Sequence, residues 1–301
     1  MKATTLFLSF MFWTHALLFS QSTSDGLSIA KSLIENQQTD SAIVLLENEI
    51  EAMTNSANKK SLVKTENFLG NVFFNNSQFS DALNHFIIAD ELATALGDCA
   101  LKNSAQLGMV RVHYGLHEKQ EALEMLRSMK SEIITCQNDT INHSYYYYMA
   151  VIAYEIGKEP GDSIHANLEK SLSCCKSLLD DKTIAKVYNV MGENLWIRLK
   201  RPEEGFAYFL KAQQHATQSE DVYAMFFSNL KVGSYLSETG KHNDAYPYLK
   251  QALEQAKRLK STADIIYIKH VLGKHYSAQG MADSTYETFV DLLVLKDSLN
   301  S

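Results

Sequence analysis

Helix-breaking residues are scarce in this sequence of 301 residues, which contains 3 Pro and 13 Gly. Both counts lie well below the average usage of these residues in soluble proteins. Such a shortage excludes a fold with many irregular loops. It predicts long helices that are joined by short turns.

Basic clusters and long apolar runs are also missing. The formal net charge is −7, and no run of Lys or Arg is longer than two residues. Nucleic-acid binding requires a clustered basic surface, so we predict no nucleic-acid partner for this chain. Nor does a basic tail point to a membrane surface. After the first twenty residues no stretch approaches eighteen consecutive apolar residues, so no further membrane segment is predicted.

Motifs for catalysis and for metal binding are absent from the sequence. It has no GxSxG, no phosphate-binding glycine loop and no recurrent pair of acidic residues. The ten histidines are scattered without an HExxH motif. We interpret His113 and His117 as exposed polar residues at the end of a helix, not as metal ligands. The sequence therefore predicts a protein that is not an enzyme and that has no cofactor and no metal.

The first twenty residues have the layout of a secretory signal peptide. Lys2 gives a positive start, 6–19 is mostly apolar, and Ser20 is a small residue before a cut that leaves Gln21 first. The alternative is an N-terminal helix that is buried or that anchors the chain in a membrane. A lipid anchor is not predicted, because the first cysteine is Cys99. We expect a periplasmic or secreted protein.

A small residue recurs through the chain at a nearly fixed interval. It follows an apolar residue in Leu69-Gly70, Leu107-Gly108, Met191-Gly192, Val232-Gly233 and Leu272-Gly273, and alanine takes the place of the glycine at Ala30 and Ala150. The spacings in chain order are 40, 38, 42, 42, 41 and 40 residues. A period of this size is typical of stacked-repeat proteins.

Each repeat reads as a helical hairpin. Leu69, Gly70 and Phe73 fall on one helical face, Asn75, Asn76 and Ser77 break the helix, and a second apolar stripe follows at Ala82, Phe86 and Ala89. The third, fourth and fifth repeats fit if the turn is one or two residues longer, with turn glycines at Gly115 and Gly157 for the third and fourth. Their second helices then align on Ala122, Leu126 and Met129, on Ile164, Leu168 and Ser171, and on Gly205, Phe209 and Ala212.

The four cysteines fit neither a metal site nor a CxxC redox pair. Cys99 and Cys136 are predicted near the ends of second helices in successive repeats, where a disulfide is possible in an oxidising compartment. The alternative for them, and for Cys174 and Cys175, is a small residue buried between helices.

This pattern resembles the tetratricopeptide repeat (TPR) from about Thr23 to the C-terminus. It departs from that family in its period, near 40 instead of about 34 residues, and in lacking the closing proline. Ala95-Leu96-Gly97-Asp98 is similar to the longer variety of kinesin light chains and bacterial regulators. The resemblance implies an all-α fold, a right-handed α-solenoid superhelix of about seven hairpins. The predicted repeats lie around 23–62, 63–100, 101–142, 143–184, 185–225, 226–265 and 266–301.

The last residues, LVLKDSLNS at 293–301, together with the signal peptide, resemble the exported TPR sensor region of Bacteroidetes regulators. There the repeats usually lead into a membrane helix and a cytoplasmic histidine kinase or DNA-binding domain. The alternative is an ordinary last helix with a polar tip.

In the family, the first helices line a concave binding face. The resemblance implies that exposed positions there lie three residues before the small residue and one and four after it. Candidate partner-binding residues are Asn67, Asn71, Phe74, Met109, Tyr147, Tyr154, Asn189, Glu193, Trp196, His270 and Lys274. In the run Tyr145–Tyr148 at least one ring is expected to be exposed or to line the groove, and we favour Tyr147.

These observations predict a non-catalytic exported scaffold that binds a protein or peptide on its concave face. The alternative is the periplasmic sensor portion of a truncated or split signalling regulator with a membrane-bound partner. The sequence leaves the oligomeric state open.

Overall fold

The computed structural model describes residues 26–54, 57–178 and 180–300. These residues form helices without any strand, and the helices pair into seven hairpins, so the predicted all-α fold of stacked hairpins is confirmed. The predicted signal peptide lies outside the described residues. None of the described helices has both the length and the apolar character that crossing a membrane requires.

The first helices of the hairpins are α1 (26–35), α3 (Lys59–Asn75), α5 (Cys99–Gly115), α7 (Asp139–Ile156), α9 (Asp181–Glu193), α11 (Val222–Glu238) and α13 (Thr262–Ala278). The second helices are α2 (Thr39–Thr54), α4 (Phe79–Leu96), α6 (Lys119–Cys136), α8 (Gly161–Leu178), α10 (Pro202–Gln218), α12 (His242–Arg258) and α14 (Ala282–Asn300).

A polar side chain begins most of the first helices. Its oxygen accepts a hydrogen bond from the backbone N–H three residues on, as an N-cap does. In α5, for example, Asp98 Oδ1 accepts from Leu101 N at 3.1 Å. The capping residues of α3, α5, α7, α9, α11 and α13 are Asn58, Asp98, Asn138, Asp180, Asp221 and Ser261.

Each hairpin turn contains one residue in the left-handed region, which ends the first helix. These residues are Gln37, Ser77, His117, Gly157, Lys200, Gly240 and Gly280. They lie 40 residues apart except for an interval of 43 between Gly157 and Lys200. The small position lies seven residues before the turn residue in most hairpins.

The regular turns correct our prediction for the third repeat. Counting back from His117, the position equivalent to Gly70 is Val110, not Gly108, and Gly115 is the last residue of α5, not a turn residue. The turn 116–118 is also no longer than the turn 76–78 of the preceding hairpin. The sequence pattern required two extra residues in this turn only because it took Gly108 as the small position of α5.

The fifth repeat takes up its extra residue inside a helix. After α9 the chain continues as a π-helix over Asn194–Arg198, in which Leu199 N donates to Asn194 O at 3.0 Å. A single inserted residue is commonly accommodated in this way. It explains why Gly205 follows Gly192 by one residue more than Ala82 follows Gly70. The predicted longer turn is therefore wrong here.

Backbone packing divides the chain into two compact units, residues up to Ile141 and residues from Asn142 onward. In the first unit α2 to α6 pack in chain order, and in the second unit α8 to α14 do so. First helices of neighbouring hairpins also contact each other, namely α3 with α5, α9 with α11 and α11 with α13.

Small residues let the helices of the first unit approach one aromatic ring. Phe86 of α4 is 1% exposed. A Cβ added to Gly70 would lie 2.8 Å from the Phe86 ring, and one added to Gly108 would lie 2.4 Å from it. Both glycines are therefore needed for close packing. Gly108 recurs in the sequence pattern because it faces the ring of the preceding hairpin.

A disulfide closes the third hairpin. Cys99 opens α5 and Cys136 ends α6, with their Cα atoms 5.9 Å apart and their sulfurs bonded. The two cysteines thus belong to one hairpin, not to second helices of successive repeats as predicted. In an antiparallel hairpin the start of the first helix lies beside the end of the second, which is the reason they meet. Of the two alternatives for this pair, the structure shows the disulfide.

Candidate partner-binding surface

Each first helix has one side that faces neither its second helix nor the core, and we call this side the inner face. Its centre is the residue that follows the small position. In chain order these residues are Lys31, Asn71, Arg111, Val151, Glu193, Ser234 and Lys274. All of them are half-buried or exposed. Side chains in this row can therefore meet a ligand.

In the first unit two of the predicted residues, Asn71 and Phe74, lie on the inner face. Asn71 is half-buried, and its Oδ1 accepts a hydrogen bond from Arg111 Nη1 at 2.5 Å. The Arg111 guanidinium lies over the Phe74 ring at 4.3 Å, and Phe74 contacts Phe79 with ring centroids 5.7 Å apart. Arg111 was not predicted, because the register of α5 was wrong by two residues.

The predicted exposure of two asparagines is wrong. Asn67 and Asn189 are each 6% exposed. Asn67 Nδ2 donates to Leu101 O at 3.4 Å, and Asn189 Nδ2 donates to Ser228 Oγ at 3.0 Å. Each amide therefore spans the contact between neighbouring first helices. Their position on the side facing the next helix explains the burial.

Met109 does not lie at an inner-face position either. It is half-buried and packs against the core cluster that contains Phe73 and Phe86. The equivalents of Asn67, Asn71 and Phe74 in α5 are Leu107, Arg111 and Tyr114. The expectation for Met109 came from the same register error.

In the second unit charged side chains bridge neighbouring first helices. The Glu193 carboxylate forms an ion pair with Lys231 Nζ, and both side chains are about three-quarters buried. The Arg198 guanidinium lies 5.1 Å from the centroid of Tyr154 and donates to the carbonyls of Tyr154 and Gly157 at the end of α7. Arg198 thereby satisfies carbonyl groups that a helix end leaves without partners.

Trp196 packs between hairpins and is not free to act as an anchor alone. It lies in the π-helix, half-buried, with its ring centroid 5.3 Å from Tyr235 and 6.0 Å from Phe209. The sequence left open whether such rings face the groove or pack between repeats, and Trp196 packs. Tyr154 is also half-buried.

The tyrosine run is largely covered. Tyr145 is 3% exposed, and the other three rings are half-buried. Tyr147 takes the place in α7 that Asn67 takes in α3, and it packs against the core cluster that contains Ala150, edge-on to Tyr148 with centroids 5.4 Å apart. Burial raises the pKa of the Tyr147 phenol, and the nearby Glu193 carboxylate adds to the rise.

His270 and Lys274 are both exposed. Lys274 lies in the central row, whereas His270 takes the place of Asn67 in α3, on the side that no following first helix covers among the described residues.

Three further exposed apolar side chains on the inner face of the second unit were missed, namely Ile197, Tyr223 and Tyr267, at 47%, 42% and 51% exposure. Tyr267 lies seven residues before Lys274, and Tyr223 lies eleven residues before Ser234. Spacings of seven and eleven residues return to the same side of a helix, so helical periodicity was the available signal.

The described residues contain no group of three His, Cys, Asp or Glu side chains arranged for a metal ion. The prediction of a non-catalytic protein without cofactor remains a prediction.

Comparison with known proteins identifies the fold. No family model matches the sequence, and no curated protein matches it either. Among solved structures, the apo form of RapI aligns over 93% of this chain and 99% of its own, with 11% identity and a TM-score of 0.70. A STAND protein with a tetratricopeptide repeat sensor, from Pyrococcus horikoshii, aligns over 91% of this chain and 42% of its own, with 12% identity and a TM-score of 0.66.

A Rap protein in complex with Competence and Sporulation Factor aligns over 93% of this chain and 99% of its own, with 12% identity and a TM-score of 0.59. At such low identity the likeness concerns the fold alone. The fold is that of the TPR-like helical solenoids. The specific resemblance to exported Bacteroidetes sensors stays a prediction.

Proposed function

We propose that this chain is a non-catalytic, exported scaffold that binds a protein or peptide segment on the inner face of its first helices. The observation that carries the proposal is the inner face itself. In both units it presents aromatic rings and charged groups that the core does not cover, and in the first unit it also presents the Asn71 amide. Tyr223 and Tyr267 are rigid amphipathic side chains of the kind found at binding hot spots.

The fold likeness supports this proposal. One similar structure is a Rap protein that holds Competence and Sporulation Factor, so this type of solenoid is able to bind a separate factor. The role does not require a metal or cofactor site.

Export is supported by two independent features. The first twenty residues have the layout of a signal peptide. The bond between Cys99 and Cys136 is of a kind that persists in oxidising compartments and is rare in the cytosol.

The second candidate function is a sensor portion of a signalling protein. Its support is the similarity to the Pyrococcus horikoshii protein, in which the tetratricopeptide repeats are a sensor. Under this alternative the same inner face would receive the ligand. The native protein would then be found with a membrane-bound signalling partner.

Photo-crosslinking in the native cells tests the inner face. Benzoylphenylalanine replaces Tyr223 or Tyr267 on the inner face, or Leu210 or Tyr286 on second helices of the same unit as controls; all four are exposed. We expect a partner adduct only from the first pair. Adducts from the control positions alone, or from none of the four, would refute the proposal. Trp196 is avoided because its substitution would disturb packing.

A further inference from the structure

We propose that the inner face of the first unit binds an acidic peptide segment, whose carboxylates pair with Lys31 and Arg111. This inference deepens the proposed function and rests on it. It names the chemistry of the ligand for one of the two units.

Charge is divided between the two sets of helices in the first unit. The first helices α1, α3 and α5 carry six basic residues, Lys31, Lys59, Lys60, Lys64, Lys102 and Arg111, and two acidic ones, Glu35 and Glu66. The second helices α2, α4 and α6 carry three basic and ten acidic residues. The negative net charge of the chain thus conceals an excess of basic residues on the first helices of this unit.

Four of these six basic groups have no carboxylate partner among the described residues. Lys60 pairs with Asp98 and Lys102 pairs with Glu132, whereas Lys59 donates to a backbone carbonyl, Thr54 O. The other three without a carboxylate partner are Lys31, Lys64 and Arg111.

Of the two acidic residues on these first helices, only Glu35 lies beside the basic row. Glu66 is 3% exposed and its Oε2 lies 2.6 Å from His85 Nδ1 of α4, away from the inner face. Glu35 is exposed four residues after Lys31, on the same side of α1, and no ion pair joins the two side chains among the described residues. α5 contains no acidic residue. A ligand at Asn71 and Arg111 therefore meets positive charge that no exposed acidic side chain of α3 or α5 offsets.

Lys31, Asn71 and Arg111 occupy the central row on three successive first helices. Lys31 Nζ lies 5.9 Å from the centroid of Phe68, and Arg111 lies over Phe74. A guanidinium has five N–H donors, and the bond to Asn71 uses one of them. The ring contacts hold the cations in place while leaving donors for a carboxylate.

The length of the row favours a peptide over a small anion. Packed helices lie about 8–10 Å apart, so Lys31 and Arg111 are separated by two such steps. An extended peptide advances about 3.3 Å per residue and reaches across both steps with about six residues. Phe68 and Phe74 suit apolar side chains between the acidic ones. The ten acidic residues on the second helices disfavour nucleic acid.

The inner face of the second unit has a different chemistry. Its central row contains Val151, Glu193, Ser234 and Lys274, and the Glu193 carboxylate is paired with Lys231. One of these four residues is basic, whereas two of the three in the first unit are, so the acidic peptide is assigned to the first unit.

Fluorescence anisotropy with defined probes tests the proposal. The probe is a labelled twelve-residue peptide of alternating Asp and Leu, and its companion carries Asn in place of Asp. We expect the full chain to bind the Asp peptide at least about tenfold more tightly at low salt. Lys31→Ala combined with Arg111→Ala should weaken binding about tenfold and reduce its salt dependence.

Two further variants keep the test decisive. Lys31→Glu reverses a charge at an exposed position, so it should weaken binding without unfolding the chain. Lys250→Ala combined with Arg258→Ala removes two charges from α12 and should leave binding unchanged. Circular dichroism verifies that every variant is folded.

Equal affinity for the Asp and Asn peptides would overturn the inference, as would undiminished binding by the folded Lys31 and Arg111 variants. Tighter binding of a single-stranded RNA of similar length would overturn it as well. If crosslinks appear on the inner face but no acidic probe binds, this inference fails and the proposed function stands. Without such crosslinks the proposed function itself fails.

Discussion

Removal of the disulfide should destabilise the third hairpin by a predictable amount. The bond joins Cys99 to Cys136 over a sequence separation of 37 residues. In the chain-entropy model, closing a loop of that length lowers the conformational entropy of the unfolded chain, which raises its free energy by about 4 kcal/mol. Cys99→Ser combined with Cys136→Ser should therefore lower the free energy of unfolding by about 4 kcal/mol. The Lys102–Glu132 ion pair of the same hairpin remains in that variant.

Urea titrations followed by circular dichroism measure this difference. Reduced wild-type protein should unfold at the same urea concentration as the double variant, and a reductant should not shift the variant. A loss below about 1 kcal/mol would refute the reasoning. It would mean that the two thiols are not bonded in the folded protein, or that the unfolded chain already keeps the hairpin closed.

Two smaller changes test the packing. Gly108→Ala should destabilise by about 1–2 kcal/mol in urea titrations, because overlap with Phe86 outweighs the gain in helix propensity of about 1 kcal/mol. Phe86→Leu should relieve part of that cost; a stabilised Gly108→Ala protein would contradict the close contact. Burial lowers the pKa of His275, and the neighbouring His242 lowers it further. The unfolded chain therefore binds a proton at this residue more readily than the folded chain, so the free energy of unfolding should fall as the pH drops below about 6.5. A urea midpoint with the same pH dependence in His275→Gln would contradict this assignment.

The sequence predicted the helices and their pairing well, since apolar periodicity and the small residues are local signals. The sequence pattern failed where glycine, the marker of the small position, was present for a different packing reason. Gly108 looks like the small position of its own helix, yet it makes room for Phe86 of the preceding hairpin. The left-handed residue of the turn is the better marker, but His117 and Lys200 adopt that conformation without being glycine. A single sequence gives no sign of this.

The register error also determined which candidate residues were missed. Aligning α5 on Gly108 placed Met109 on the inner face and concealed Arg111. With Val110 as the small position, Arg111 joins Lys31 and Asn71 in one row. Burial of Asn67 and Asn189 was a separate failure, because it depends on the distance between neighbouring first helices and not on periodicity.

The two inner faces impose different conditions on a ligand. The first presents cations without carboxylate partners beside two phenylalanines, so binding there should weaken with salt. The second contains its own ion pair between Glu193 and Lys231, and its exposed groups are mainly aromatic, so binding there should depend on apolar contact. Salt titration of a natural partner therefore separates the units. Binding that disappears at high salt belongs to the first unit, and salt-resistant binding that weakens when Tyr223 is changed belongs to the second.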